Sequence, residues 1–160
     1  YWLFFKLAKN FSDIEFVAVG KPNPPYEELY KRIVERYRGL RNLRITSFVS
    51  EEEKSEILSR SWILCLPSIR EGLPIAFLEA LAHKCALLST VNPDDLARRF
   101  GYHAKGFGNL RKGLETVIHE DTWRKLGESG YNYVKNKHAC AHVLSKLVKM
   151  LENMDGVRQP

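Results

Sequence analysis

In the stretch "SIREGLPIAFLEALAHK", residues 68 to 84, two glutamates stand with seven residues between them: Glu71 and Glu79. An ionised carboxylate accepts several hydrogen bonds at once, so such a pair suits a ligand rich in hydroxyls. Gly72 follows the first glutamate and allows a sharp turn or a close approach to the backbone. Pro74 suits the first turn of a helix, where its missing N–H costs little. A helix that starts there offers unpaired amides and the positive end of its dipole, which is a ready anion site with phosphate as its usual occupant. Glu79 lies five residues beyond Pro74, roughly 7.5 Å along a helix axis. A diphosphate at the helix start would put a ribose over the turn that carries Glu79, with Glu71 on the loop side near further sugar hydroxyls. A plainer reading also fits. Glu71 can be a solvent-facing loop charge and Glu79 an exposed helix residue, over a core stripe of Ile75, Leu78, Leu81 and Ala82. Spacing alone leaves both readings open.

Other chemistry finds less support. The three cysteines, Cys65, Cys85 and Cys140, are far apart. Cys65 and Cys85 fall in apolar runs and are expected as buried free thiols in a reducing compartment. Of the five histidines only His138 and His142 stand four apart, and no further ligand pattern accompanies them, so neither a metal nor any other cofactor is expected. The net charge is +6, which would suit a phosphorylated ligand, an anionic lipid surface or nucleic acid. In "YKRIVERYRGLRNLR", however, glutamates are mixed with the arginines and no nucleic-acid signature accompanies them. A solvated helix face is expected there, and no nucleic-acid partner. No apolar run is long enough to span a bilayer. The opening "YWLFFKLAKNF" has neither a basic leader nor a small-residue cleavage site, so no signal peptide is expected.

The elements that would position the glutamates follow from hydrophobic period. Helix is expected over "YWLFFKLAKNF", over "YEELYKRIVERYRGL" with Leu29, Ile33 and Val34 inward, and from Ser50 to about Ser61. Ser50 and Glu53 have the spacing of a capping box. A further helix is expected from about Pro74 to Lys84, a short one in "PDDLARRFG", and helices through the tail to about residue 153. Strands are expected at "IEFVAVG" (14–20), "LRITSFV" (43–49), "WILCLP" (62–67) and "CALLST" (85–90), with "YHAKGFG" an irregular or weak edge strand. Apolar strands that alternate with helices imply a parallel sheet covered on both faces. The fold class is therefore α/β and Rossmann-like. Residues 1–153 form one domain and 154–160 a frayed tail. A doubly wound sheet begins on a strand, so one more strand is expected ahead of Tyr1, in a longer protein. Ligands of such sheets sit at the carboxyl ends of the strands. Those ends carry Gly20–Asn23, Val49–Ser50, Pro67–Leu73 and Thr90–Pro93.

"SIREGLPIAFLEALA" resembles the signature of the group 1 family of retaining nucleotide-sugar glycosyltransferases, which have the two-domain GT-B fold. The family pattern is Glu, seven residues, Glu, with glycine after the first and a small residue after the second: here Glu71, Gly72, Glu79 and Ala80. "IEFVAVG", "LRITSFVSEEEKSEILSRSWILCLPS" and "WRKLGESGYNYVKNKH" resemble further segments of the same family, so the likeness covers nearly the whole chain. It implies a carboxyl-terminal, donor-binding domain. The intact enzyme would move a sugar, of hexosyl type, from a nucleoside-diphosphate sugar (UDP- or GDP-linked) to an acceptor with retention, in glycan biosynthesis. Glu71 would contact the transferred sugar as the catalytic residue, and Glu79 would bind the ribose. Gly72, Leu73, Pro74 and Ile75, with Ser68 and Arg70, would line the diphosphate and sugar. Val49 and Ser50 would lie beside the base. The partners implied are the nucleotide-sugar, an amino-terminal acceptor domain and an acceptor at a membrane surface or on a lipid, in the cytoplasm or at the membrane's edge. The fragment alone should bind nucleotide weakly and transfer nothing.

The departures are specific. The basic pair that grips the diphosphate in the family's first strand-to-helix loop has no clear match; Lys6, on a helix, is a weak stand-in. "STVNPDD" lacks the glycine-rich turn, and "FGYHAKGFGN" replaces the usual apolar strand. Arg98, Arg99 and His103 lie near that side and read as a solvated face. Two alternatives remain: a nucleotide-sugar epimerase-like enzyme on the same fold, and a non-catalytic basic binding module.

Overall fold

The computed structural model describes residues 1–155. Five parallel strands alternate with helices: α1 (Trp2–Asn10), β1 (Phe16–Val19), α2 (Glu27–Tyr37), β2 (Leu43–Thr46), α3 (Glu51–Ser59), β3 (Ile63–Leu66), α4 (Ile75–Ala82), β4 (Ala86–Ser89), α5 (Leu96–Arg99) and β5 (Gly101–His103), followed by α6 (Phe107–Ile118), α7 (Thr122–Lys137) and α8 (Cys140–Asp155). The expected order is present throughout. "YHAKGFG" does supply a short edge strand, β5, and the helical tail runs on to Asp155; the rest of the tail expected to fray, 156–160, lies outside the described residues.

One difference concerns the sheet. It forms two parts, β1–β2 and β3–β4–β5, rather than one. Phe16 pairs with Leu43 and Val19 with Thr46 in the first part, and Ile63 with Ala86 and Leu66 with Ser89 in the second. Among the described residues β1 pairs only with β2, and β3 only with β4. All four residues of β3 are only partly buried, although the strand is Ile-Leu-Cys-Leu. Cys65 is accordingly half-buried, Cys85 is fully buried as expected, and Cys140 is exposed.

Alternation along β4 separates the two faces. Leu88 turns toward Leu7 and Ala8 of α1 and Leu110 and Leu114 of α6. Leu87 turns toward Phe77, Ala80 and Leu81 of α4, and α5 and α7 close over that side. Phe5 of α1 and Tyr37 of α2 cover Ala18. Leu29, expected inward, is 56% exposed; α2 buries its later turns, Ile33, Val34 and Tyr37, because only those reach β1 and β2. Asn42 locks the entry to β2, its side-chain amide donating to the carbonyls of Ala8, Phe11 and Ile14 at 2.9–3.0 Å. In α8, Val143, Leu144, Leu147, Val148 and Leu151 are each about half exposed. Among the described residues no helix is long and apolar enough to cross a membrane.

Candidate functional site

The loop 67–74 joins the carboxyl end of β3 to α4 and is rooted from the neighbouring strand. Ser89, fully buried on β4, donates its hydroxyl to the Leu66 carbonyl at 2.8 Å and accepts from the Val91 amide at 3.1 Å. Thr90 donates its hydroxyl to the Ser68 carbonyl. The loop therefore leaves the sheet at a fixed point, while Ile69, Arg70, Glu71, Gly72 and Leu73 are exposed. Ser68 Oγ donates to Glu71 Oε1 at 2.7 Å, which fixes one oxygen of that carboxylate.

Pro74 stands at the N-cap of α4, with φ −66° and ψ 122°, one place earlier than the sequence suggests. Its backbone is extended, so it aims the chain into the helix, and its carbonyl accepts the Phe77 amide at 3.0 Å. No side chain caps α4 and no acidic residue occupies its first turn. The amides of Ile75 and Ala76 therefore remain available, as an anion site requires. Of the two uses expected of Gly72, a left-handed turn is absent and an open approach to the backbone remains. A side chain there would meet nothing within 4 Å, and no left-handed φ is involved. Its smallness keeps the backbone bare on the open side of the loop. The plainer core stripe is also corrected. Ile75 is 72% exposed, and Phe77, Ala80 and Leu81 are the buried residues of α4.

Glu79 does not point freely into solvent. Lys54 Nζ lies 2.7 Å from its Oε1, and both side chains are 30% exposed. The same ammonium reaches Glu51 Oε2 at 2.8 Å. Hydrogen bonds to Glu51 and then Glu79 raise the Lys54 pKa above its ordinary value. One residue along, Ser55 Oγ meets His83 Nε2 at 2.8 Å, while His83 Nδ1 meets the Glu79 carbonyl at 2.9 Å. These contacts bring the segment after β2 against α4. Ser50 caps α3 in a full capping box: its hydroxyl accepts from the Glu53 amide at 3.1 Å and its amide donates to Glu53 Oε2 at 2.8 Å. The Ser50 hydroxyl and amide are thus both committed, and Val49 is half-buried beside them.

Lys54, Ser55 and His83 were not legible as site residues. Lys54 hides in the run "SEEEKS", where the capping box explains the charges. The other basic side chains near the cleft are spoken for. Lys6 lies over the Phe107 ring at 4.1 Å, Arg98 pairs with Asp95 at 3.2 Å, and Arg99 stacks 4.8 Å from Phe100 and Tyr133. A shallow cavity of about 320 Å³ lies at the edge strand β5, lined by Arg98, Gly101, Tyr102, His103, Lys105 and Asn109, away from the two glutamates. Among the described residues no three His, Cys, Asp or Glu side chains gather in a way that could hold a metal ion.

The sequence model of the family "Glycosyl transferases group 1" matches residues 3–98, a span that includes β1 to β4, Glu71 and Glu79. The chain belongs to this family. No curated protein matches this glycosyltransferase chain by sequence. The C-terminal domain of the glycosyl transferase group 1 family protein LpcC from Francisella tularensis is similar in structure, with TM-score 0.69 and 21% identity over 86% of this chain and 76% of that one. Sucrose-phosphate synthase from Thermosynechococcus elongatus is similar with TM-score 0.74 and 15% identity. That match covers 98% of this chain and 43% of the synthase, so the glycosyltransferase chain spans under half the synthase's length. At such identities the likeness shows the fold, the Rossmann-like carboxyl-terminal domain of the GT-B architecture.

Proposed function

We propose that this chain is the donor-binding half of a glycosyltransferase that moves a sugar, of hexosyl type, from a nucleoside-diphosphate sugar to an acceptor with retention of configuration. The observation that carries the reading is the uncapped start of α4 behind an exposed loop, with Glu71 before it and Glu79 just over one turn within it. The diphosphate lies at the amides of Gly72, Leu73 and Ile75. Glu79 accepts the ribose hydroxyls and Glu71 those of the transferred sugar, while Ser68 and Arg70 border that sugar and Val49 and Ser50 border the base.

In this reading the positive end of α4 stabilises charge that grows on the departing nucleoside diphosphate, with no metal ion required. Its donors are fixed before reaction, so they cost no reorganisation when the bond breaks. Ser68 orients Glu71 by one oxygen and leaves the other for the sugar. The acceptor and its contacts belong to an amino-terminal domain of the parent enzyme, which acts in glycan biosynthesis in the cytoplasm or at a membrane surface. An epimerase-like enzyme would use the same donor contacts; nothing in the geometry favours it.

The test is amide NMR. Addition of UDP, GDP or ADP to the labelled chain should move the resonances of Gly72, Leu73 and Ile75. If the moved amides gather instead at Gly101, His103 and Lys105, the basic cavity at β5 is the anion site and the reading fails.

A further inference from the structure

We infer that Lys54 is a positioning residue of the donor site, holding the Glu79 carboxylate by Oε1 so that Oε2 stays free for ligand hydroxyls. The inference rests on the donor-site reading above. Three features of the structure lead to it.

First, the contact is close and led from a fixed base. Lys54 Nζ is 2.7 Å from Glu79 Oε1. The Lys54 amide donates to the Ser50 carbonyl at 2.9 Å, inside the turn that the capping box fixes. Glu51 holds the ammonium from its other side. The lysine therefore reaches Glu79 from a helix end whose own geometry is set.

Second, the pair is not needed to hold α3 against α4. The Ser55–His83 hydrogen bond does that from the next residue, and His83 is itself anchored on the Glu79 carbonyl. Cys85 adds a third link, its thiol donating to the carbonyls of Leu58 and Ser61 at 3.2 and 3.3 Å. What remains for Lys54 is the carboxylate itself.

Third, the charges call for it. A glutamate within two turns of a bound diphosphate faces a second anion, and like charges that close oppose one another. An ammonium on the carboxylate offsets that repulsion. It also removes rotamer freedom that Glu79 would otherwise lose on binding, which favours affinity through preorganisation. A carboxylate has enough lone pairs to keep the lysine and still accept from a ribose.

The experiment compares UDP, GDP and ADP with their 2′,3′-dideoxy counterparts by calorimetry, on the wild-type chain, Lys54→Met and Lys54→Arg. Wild type should prefer the ribose form of its nucleotide by about tenfold, the effect of one or two charge-assisted hydrogen bonds. Lys54→Met should lose most of that preference and Lys54→Arg should retain it. An equal loss for both forms, or no change for either, would make Lys54 a structural tie or a bystander and overturn the inference. A wild-type chain that binds no nucleotide, or shows no ribose preference, overturns the donor-site reading itself and the inference with it. Thermal melts report folding, and Lys54→Ala gives the same ratio should the methionine variant not fold.

Discussion

The hydroxyl of Ser68 donates to Oε1 of Glu71 across 2.7 Å, although both residues belong to the exposed loop after β3. Serine thus sets the orientation of a carboxylate that has no other side-chain partner among the described residues. Ser68→Ala should change stability by less than about 0.5 kcal/mol, as expected for an exposed loop. It should weaken a nucleotide-sugar about fivefold while leaving the free nucleotide unaffected, because it removes the one hydrogen bond that orients the carboxylate. Paired titrations with both ligands check this; an equal effect on both would separate Ser68 from the sugar.

Two glycines should respond oppositely to alanine. At Gly127 in α7 a side chain would stand 1.9 Å from the Lys84 carbonyl oxygen, and at Gly72 it would meet nothing within 4 Å. The first contact is with backbone that holds the turn from α4 to β4, so it cannot yield cheaply. Gly127→Ala should cost roughly 1–3 kcal/mol or more by overpacking, read from urea unfolding. Gly72→Ala should leave the unfolding curve in place and lower nucleotide affinity several-fold by crowding the approach to the α4 amides.

Buried thiols give a pH signature. Burial pushes the Cys85 thiol up to about 12, against roughly 8.5 for a free thiol. Between those values the folded chain keeps a proton that the unfolded chain releases. Its contribution is therefore complete below about pH 8.5 and declines as pH rises toward 12. Urea unfolding at pH 7 and pH 10 should show a loss of about 2 kcal/mol from this group. Cys85→Ala should show a shallower decline; an identical pH slope in both proteins would contradict the burial argument.

Much of this fold was legible because each element carries a local signal. The capping box of Ser50 and Glu53 needs only four residues and formed as spelled. The apolar runs at β1, β3 and β4 became strands for the same reason. What could not be read depends on partners distant in sequence. Leu29 matches the helical period but lies beyond the reach of the sheet. The division of the sheet between β1 and β3 depends on which strands meet, and periodicity does not encode that. The glutamate spacing marked the loop and α4. The lysine that holds Glu79 comes from 25 residues earlier, inside a run whose charges already had a local explanation. Ile75 looked like core by spacing, yet it is the first residue of an uncapped helix and faces solvent.

Calorimetry of the purified chain decides whether Glu79 binds a nucleotide ribose. The wild-type chain and Glu79→Ala are each titrated with UDP, GDP and ADP, with thermal melts in parallel. One nucleoside diphosphate should bind saturably, about tenfold or more weaker in Glu79→Ala, with the melt unchanged. Equal affinity in the two proteins, with matching melts, would contradict this and leave Glu79 as the partner of Lys54 alone.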